Sequence, residues 1–239
     1  LCGLDLGKST DPSALAIGER RQLPDPASAG RMESFYSIRY LRRWPLQTPY
    51  LEIVRDVAAL LVRPPLRCSA GPRPILALDR SGVGAPVADM FNAAGVNAAI
   101  TPVVITGGQS ANWAADGSAH VSKVQLVSTL VRVFHTGCLK VAALPERDLL
   151  DRELAAFRER MTASANLTYE GQSAHDDLVI AVGLLVWAGE NRPAFEAPSA
   201  SPAQEPRLPP HVRLYNRENR GYKMFSWARA SHGRLPFGR

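Results

Sequence analysis

Apolar and polar positions change period along the chain, and the changes divide it into elements. Leu1 to Leu6 is a short apolar run interrupted by Asp5 and closed by Gly7; a KSTDPS turn leads to a second apolar stretch, Ala14 to Glu19. After a loop of Pro, Ala, Ser and Gly, Ser34 to Arg42 alternates in part, through Phe35, Ile38 and Tyr40. These stretches predict three strands, and their short links favour an antiparallel meander. From Thr48 to Arg63 the spacing becomes helical, with Leu51, Val54, Val57, Ala58 and Leu61 on one face and Pro64-Pro65 as the stop. Ile75 to Leu78 predicts a buried strand ending at Asp79, Val83 to Ala94 a helix closed by Gly95, and Ala99 to Thr106 another strand. Gly107 to His120 is glycine-rich and polar and reads as a loop. Val121 to His135 predicts a helix with an apolar face, Pro145 to Met161 a helix laced with opposite charges, and Asn166 to Glu170 a short hairpin strand.

The last periodic segment, SAHDDLVIAVGLLVWAGE from Ser173 to Glu190, differs from the rest. Leu178 to Ala188 is eleven residues without a charge, apolar all round, which predicts a core helix rather than a surface one. It is too short to cross a bilayer, which takes about 20 apolar residues. Asp176 and Asp177 stand where this helix begins, at the positive end of its dipole, and Ser173 can cap the same end. The order of elements predicts an α/β fold: a mixed sheet, antiparallel at one side and parallel where helices join strands, with helices on its faces. The chain then divides into a folded domain over 1–192, a proline-rich linker over 193–210 that cannot bury a core, and a basic tail over 211–239.

Charge follows that division. Of 28 Lys/Arg and 22 Asp/Glu, eight cations and one acid, Glu218, fall between Arg207 and Arg239, a net of +7. The other 20 cations and 21 acids leave the body at −1. Cys2, Cys68 and Cys138 show no metal-ligand spacing and suit a reducing compartment. Nothing at the start reads as a signal peptide, and the abrupt opening on a strand suggests a fragment of a longer protein.

Asp5 and Asp79 lie at or near the ends of predicted strands. If those strands are parallel neighbours, both acids emerge at one edge of the sheet, beside Asp176 and Asp177. Carboxylates that close repel unless a cation joins them, and oxygen ligands suit Mg²⁺ or Mn²⁺. Two such ions about 4 Å apart can activate a water and stabilise a leaving oxygen in phosphoryl displacement. Each acid also has a plainer reading: Asp5 caps a turn with Lys8 and Ser9, and Asp79 pairs with Arg80. Gly82 and Gly84 in DRSGVG either bring backbone amides to a phosphate or make a tight strand-to-helix turn. Lys123, at a helix start, is a phosphate contact or an ordinary surface lysine; His175 is a metal ligand or a neighbour of the ligands, a general acid/base or a residue at the helix start. Trp113 stacks on a base or anchors its loop. A P-loop is excluded, because only Leu4, Asp5 and Leu6 separate Gly3 from the Gly7-Lys8 pair where four residues are needed.

DLGKSTDPSA, LALDRSGVGAPV and HDDLVIAVGLLVWA together resemble the nuclease domain of the phage large terminase subunit, over roughly residues 1–190. The resemblance implies a ribonuclease-H-like fold and a metal-dependent DNA endonuclease that cuts concatemeric viral DNA during packaging. It implies Asp5, Asp79 and Asp177 as ligands of two Mg²⁺ or Mn²⁺ ions, with Asp176 a neighbouring acid for the second ion or a water. The partners it implies are double-stranded DNA, an N-terminal ATPase motor, a portal protein and a small terminase subunit, in the cytoplasm of a host bacterium. A Holliday-junction-resolvase-like nuclease would share fold and acids. DLGKST also resembles the first phosphate loop of actin-like and sugar-kinase ATPases, although about 190 residues are too few for their two domains. A binding module with a decayed site is the non-enzymatic alternative, against which the complete set of acids stands.

Overall fold

The first strand, β1 (Cys2–Asp5), shows how the sheet sorts its side chains. Cys2, Leu4 and the following Leu6 join one apolar cluster, while Gly3 and Asp5 look the other way. The same sorting holds in β2 (Ala14–Pro24), where Leu15 and Ile17 share that cluster and Ala14 and Ala16 belong to the opposite one. It recurs in β4 (Ile75–Asp79), with Leu76 and Leu78 on the first face and Ala77 on the second. One face of the central sheet is thus built of large side chains and the other of small ones.

The computed structural model describes residues 1–7, 11–24, 30–67, 73–81, 85–107, 111–163 and 176–191. The remaining strands are β3 (Met32–Arg43), β5 (Ala99–Thr106), β6 (Asn112–Trp113), β7 (Ala119–Ser122) and β8 (Leu139–Val141). All eight form one sheet in the order β6-β7-β5-β4-β1-β2-β3-β8. β1, β2 and β3 make the expected antiparallel meander; β4 runs parallel to β1, and β5 parallel to β4. The helices are α1 (Tyr50–Leu61), α2 (Ala85–Ala93), α3 (Lys123–His135), α4 (Arg147–Ala163) and α5 (Asp177–Asn191). Apolar residues of α1 and α2 join the large-residue face, and those of α3 to α5 join the small-residue face. The architecture is therefore α/β, a mixed eight-stranded sheet with helices on both faces, as the order of elements predicts.

Small residues on one face let α5 come close. A Cβ added to Gly3 would stand 2.0 Å from the carbonyl oxygen of Ala181, and one added to Gly189 would stand 2.5 Å from the Tyr36 ring. α5 therefore lies directly on β1 and runs against it, Gly189 near Leu1 and Ala181 over Gly3. Every residue from Asp177 to Gly189 is buried. Its Leu, Ile, Val and Trp side chains each contribute on the order of 1.5–3 kcal/mol by leaving water, which is what holds the helix down.

Three expectations are corrected. The polar stretch from Gly107 to His120 is not all loop: β6 falls within it, and β7 begins in it and adds to the sheet parallel to β5. The helix expected from Val121 begins at Lys123, because Ser122 ends β7 and accepts the Gln125 amide at 3.0 Å as a cap. β8, absent from the expected order, pairs in parallel with β3. The Asn166–Glu170 strand, the Ser173 cap, Cys68, the linker and the tail lie outside the described residues.

Candidate functional site

Strand direction decides which side chains meet. β1, β4, β5, β7 and β3 all point the same way, so their carboxyl ends share one edge of the sheet. Asp5 ends β1 and Asp79 ends β4; since Leu4 pairs with Leu78, the two acids occupy successive places on adjacent parallel strands. Both continue the face of small residues, Asp5 two positions after Gly3 and Asp79 two after Ala77. Asp177 lies one helical turn before Ala181, which covers Gly3. A strand advances about 6.6 Å over two residues and a helix about 6 Å over four, so the antiparallel pair β1 and α5 delivers Asp5 and Asp177 to one place.

The carboxyl group of Asp5 registers that convergence. Burial first, then the negative charges of Asp79, Asp177 and Asp176, push it well above the ordinary carboxylate value, with Lys123 partly opposing. Asp79 and Asp177 are buried, at 9% and 3% exposure. Asp79 accepts hydrogen bonds at Oδ1 from the Ser81 amide at 2.8 Å and the Ser81 hydroxyl at 2.5 Å. The same hydroxyl accepts from the Ile105 amide at 2.6 Å, tying the turn after β4 to β5. Asp177 opens α5 with its Oδ2 3.0 Å from Nη2 of Arg43, and Asp176 has its Oδ2 3.3 Å from Nζ of Lys123.

These contacts replace two sequence-based readings. Lys123 is not an idle surface lysine but a partly buried partner of Asp176. Arg80 pairs with Asp116 at 2.9 Å. Trp113 is half exposed, and its ring lies 6.0 Å from that of Trp187 at an interplanar angle of 38°. Trp187 is ten residues beyond Asp177, about 15 Å along the helix, so Trp113 anchors its segment away from the acids. Gly82, Gly84 and His175 lie outside the described residues.

Two residues that sequence reasoning passed over belong to this edge. Arg43 ends β3 and is in register with Ala14, which is in register with Asp5. The methyl of Ala14 leaves room between them. Glu153, in the charged helix α4, is 5% exposed, and its Oε2 accepts the amides of Leu178 at 2.9 Å and Val179 at 3.3 Å. Burial, with the charge of Asp177 adding, pushes its carboxyl up to about 7 against those amide bonds and Arg43.

Carboxylate oxygens gathered at one buried edge are the donor chemistry of a hard divalent cation. Among the described residues no three His, Cys, Asp or Glu already stand together at metal-holding distance. The cations present are side chains, Arg43 on Asp177 and Lys123 on Asp176. The donor set therefore fits Mg²⁺ or Mn²⁺ in kind, and a cation at Oδ2 of Asp177 would compete with Arg43 for that oxygen. A cavity of about 340 Å³ lined by Arg73, Phe91, Val96 and Ile100 lies at the opposite edge, by the amino end of β5, and is separate from the acids.

No family model matches the chain, and no curated protein matches it. Two solved structures overlay on it, both of the human cytomegalovirus terminase nuclease domain. The Mn-soaked one gives a TM-score of 0.43 at 13% identity, covering 78% of this chain and 80% of that one. The other gives 0.40 at 12%, covering 78% and 82%. Both overlaps are loose, and the carboxylates must be judged on their own geometry.

Proposed function

We propose that this chain is a divalent-metal-dependent DNA endonuclease of the terminase type. The single observation that carries the reading is the meeting of Asp5, Asp79, Asp176 and Asp177 at one sheet edge, with Asp5 driven toward protonation by burial first and then by its neighbours' charges. Arg43 and Lys123 offset part of the repulsion among the four carboxylates, and a bound cation would offset the rest.

Asp5, Asp79 and Asp177 would hold the metal, and Asp176 would serve a second ion or a water. Two such ions supply an activated water and a stabilised leaving oxygen for phosphodiester hydrolysis. The protein's part is placement. β1 and β4 fix Asp5 and Asp79, Ser81 holds one oxygen of Asp79 so that the other is aimed, and α5 lends its positive end to the Asp176-Asp177 pair. Lys123 and Arg80 flank the acids at the rim, where a DNA backbone would meet positive charge. The sequence resemblance of DLGKSTDPSA, LALDRSGVGAPV and HDDLVIAVGLLVWA supplies the specific setting: cutting of concatemeric viral DNA beside an ATPase motor, a portal and a small subunit, in a host bacterium's cytoplasm.

The test is conversion of supercoiled plasmid to open-circular and linear DNA in Mn²⁺, with and without EDTA. The wild-type chain cuts in Mn²⁺ and EDTA stops it. Asp5→Asn, Asp79→Asn and Asp177→Asn each reduce cutting by at least about 100-fold, the scale of losing a directly acting group. Cleavage that persists in EDTA, or in all three variants, overturns the reading.

A further inference from the structure

We propose that Glu153 is a positioning residue for the metal site: from α4 it fixes the first turn of α5 and, through that turn, Asp177. This rests on the nuclease reading above. The first amides of any helix have no partner within it, and buried amides must find one elsewhere. In α5 the Ile180 amide bonds to the carbonyl of Asp176 at 2.8 Å, while those of Leu178 and Val179 both bond to Oε2 of Glu153. Leu178 and Val179 are buried, so water does not substitute.

The cap comes from a distant part of the chain. A local Ser, Asp or Asn would satisfy the same amides as well, but it would move with the helix it caps. Glu153 is 25 residues earlier and on another helix, so its bonds set where α5 begins relative to α4 and the sheet. Asp177 is the residue immediately before those two amides. The cap is also a carboxylate set close enough to Asp177 for their charges to oppose. Its two bonds supply the partners that the buried amides of Leu178 and Val179 lack within their own helix, and so fix the turn that carries Asp177.

The experiment measures Mn²⁺ affinity by calorimetry on the full chain, with melting temperature in parallel, for wild type, Glu153→Leu, Glu153→Gln and Asp79→Asn. Leucine keeps the volume and removes the acceptor; glutamine keeps the acceptor. The expected result is Mn²⁺ binding weakened about tenfold in Glu153→Leu and restored to within about threefold of wild type in Glu153→Gln. A purely structural cap lowers the melting temperature of Glu153→Leu and leaves the Mn²⁺ affinity of the folded protein unchanged, which overturns the proposal. Equal weakening by both variants overturns it too, since the acceptor would then be irrelevant. If the leucine variant does not fold, hydrogen exchange of the Leu178 and Val179 amides in wild type decides. Slower exchange on adding Mn²⁺ supports the coupling, by reciprocity between linked sites, and unchanged exchange refutes it. Absence of Mn²⁺ binding in wild type, or binding unaltered by Asp79→Asn, is the separate failure of the nuclease reading.

Discussion

Burial, and then the charges of Asp79, Asp177 and Asp176, raise the carboxyl of Asp5, which makes the metal-free site a source of instability. A carboxyl whose value in the folded chain is raised stabilises the fold in its protonated form. As pH rises from the unfolded value toward the raised folded value, the unfolded chain releases its proton first and stability is lost; above the folded value the loss is complete. Asp5 acts this way from 3.8 upward, and Glu153 acts between 4.5 and about 7. Without metal, the melting temperature should therefore fall as pH rises from about 4 to about 7. Asp5→Asn should melt higher than wild type at pH 7 and show a flatter profile, measured by calorimetry in EDTA. A variant with the wild-type profile would show that Asp5 carries no such penalty. Asp5, Asp79 and Asp177 were legible in the sequence because an acid at the end of an apolar run is chemically out of place. Arg43 and Glu153 were not. An arginine closing an alternating strand and a glutamate among the charges of α4 look like solvated residues until β3 and α5 are placed beside them.

At the scale of elements, Gly3 does more for the site than its size suggests. Its missing Cβ is what lets α5 lie on β1, and the two elements carry Asp177 and Asp5 to the same edge. Gly3→Ala puts a methyl 2.0 Å from a backbone oxygen, a clash only a shift of the helix relieves. Overpacking of this kind costs about 1–3 kcal/mol, read as a lower urea midpoint. Cleavage at saturating Mn²⁺ should fall more than about tenfold, because the acids separate even in the folded variant. A fully active Gly3→Ala protein would mean that close approach of α5 does not set the site. The alternation of small and large residues in β1, β2 and β4 made the central strands and their neighbouring helices readable. β6, β7 and β8 were missed for a physical reason: two to four residues are too few to show a period, and the edge of an existing sheet stabilises them where their own sequence does not.

For the whole molecule, positive charge is concentrated in the last part of the sequence. The body from 1 to 206 carries −1, while Arg207 to Arg239 carries +7 together with Tyr215, Tyr222, Phe225, Trp227 and Phe237. On the proposed nuclease reading an almost neutral body would need positive charge to hold a polyanion, and the tail is the candidate source; cations with interleaved aromatics suit phosphate binding and stacking. Deleting everything after Pro206 should flatten the dependence of log affinity for DNA on log salt by about 0.9 for each phosphate the tail neutralises. Metal-dependent cutting at low salt should survive the deletion. An unchanged slope would leave the tail's charge to a protein partner or to no binding role. The mixed sheet was foreseeable from the order of strands and helices, but its register was not. β1 and β4 run side by side with α5 packed across both, a long-range fact that no local period contains.

That Asp5, Asp79 and Asp177 hold a divalent cation is tested most directly by anomalous diffraction from a crystal of this chain soaked in Mn²⁺. The expected result is an anomalous peak bound by oxygens of Asp5, Asp79 and Asp177, with Arg43 displaced from Asp177. Electron density with Arg43 still on Asp177 and no peak among the three acids, at a Mn²⁺ concentration that supports plasmid cleavage, would contradict it.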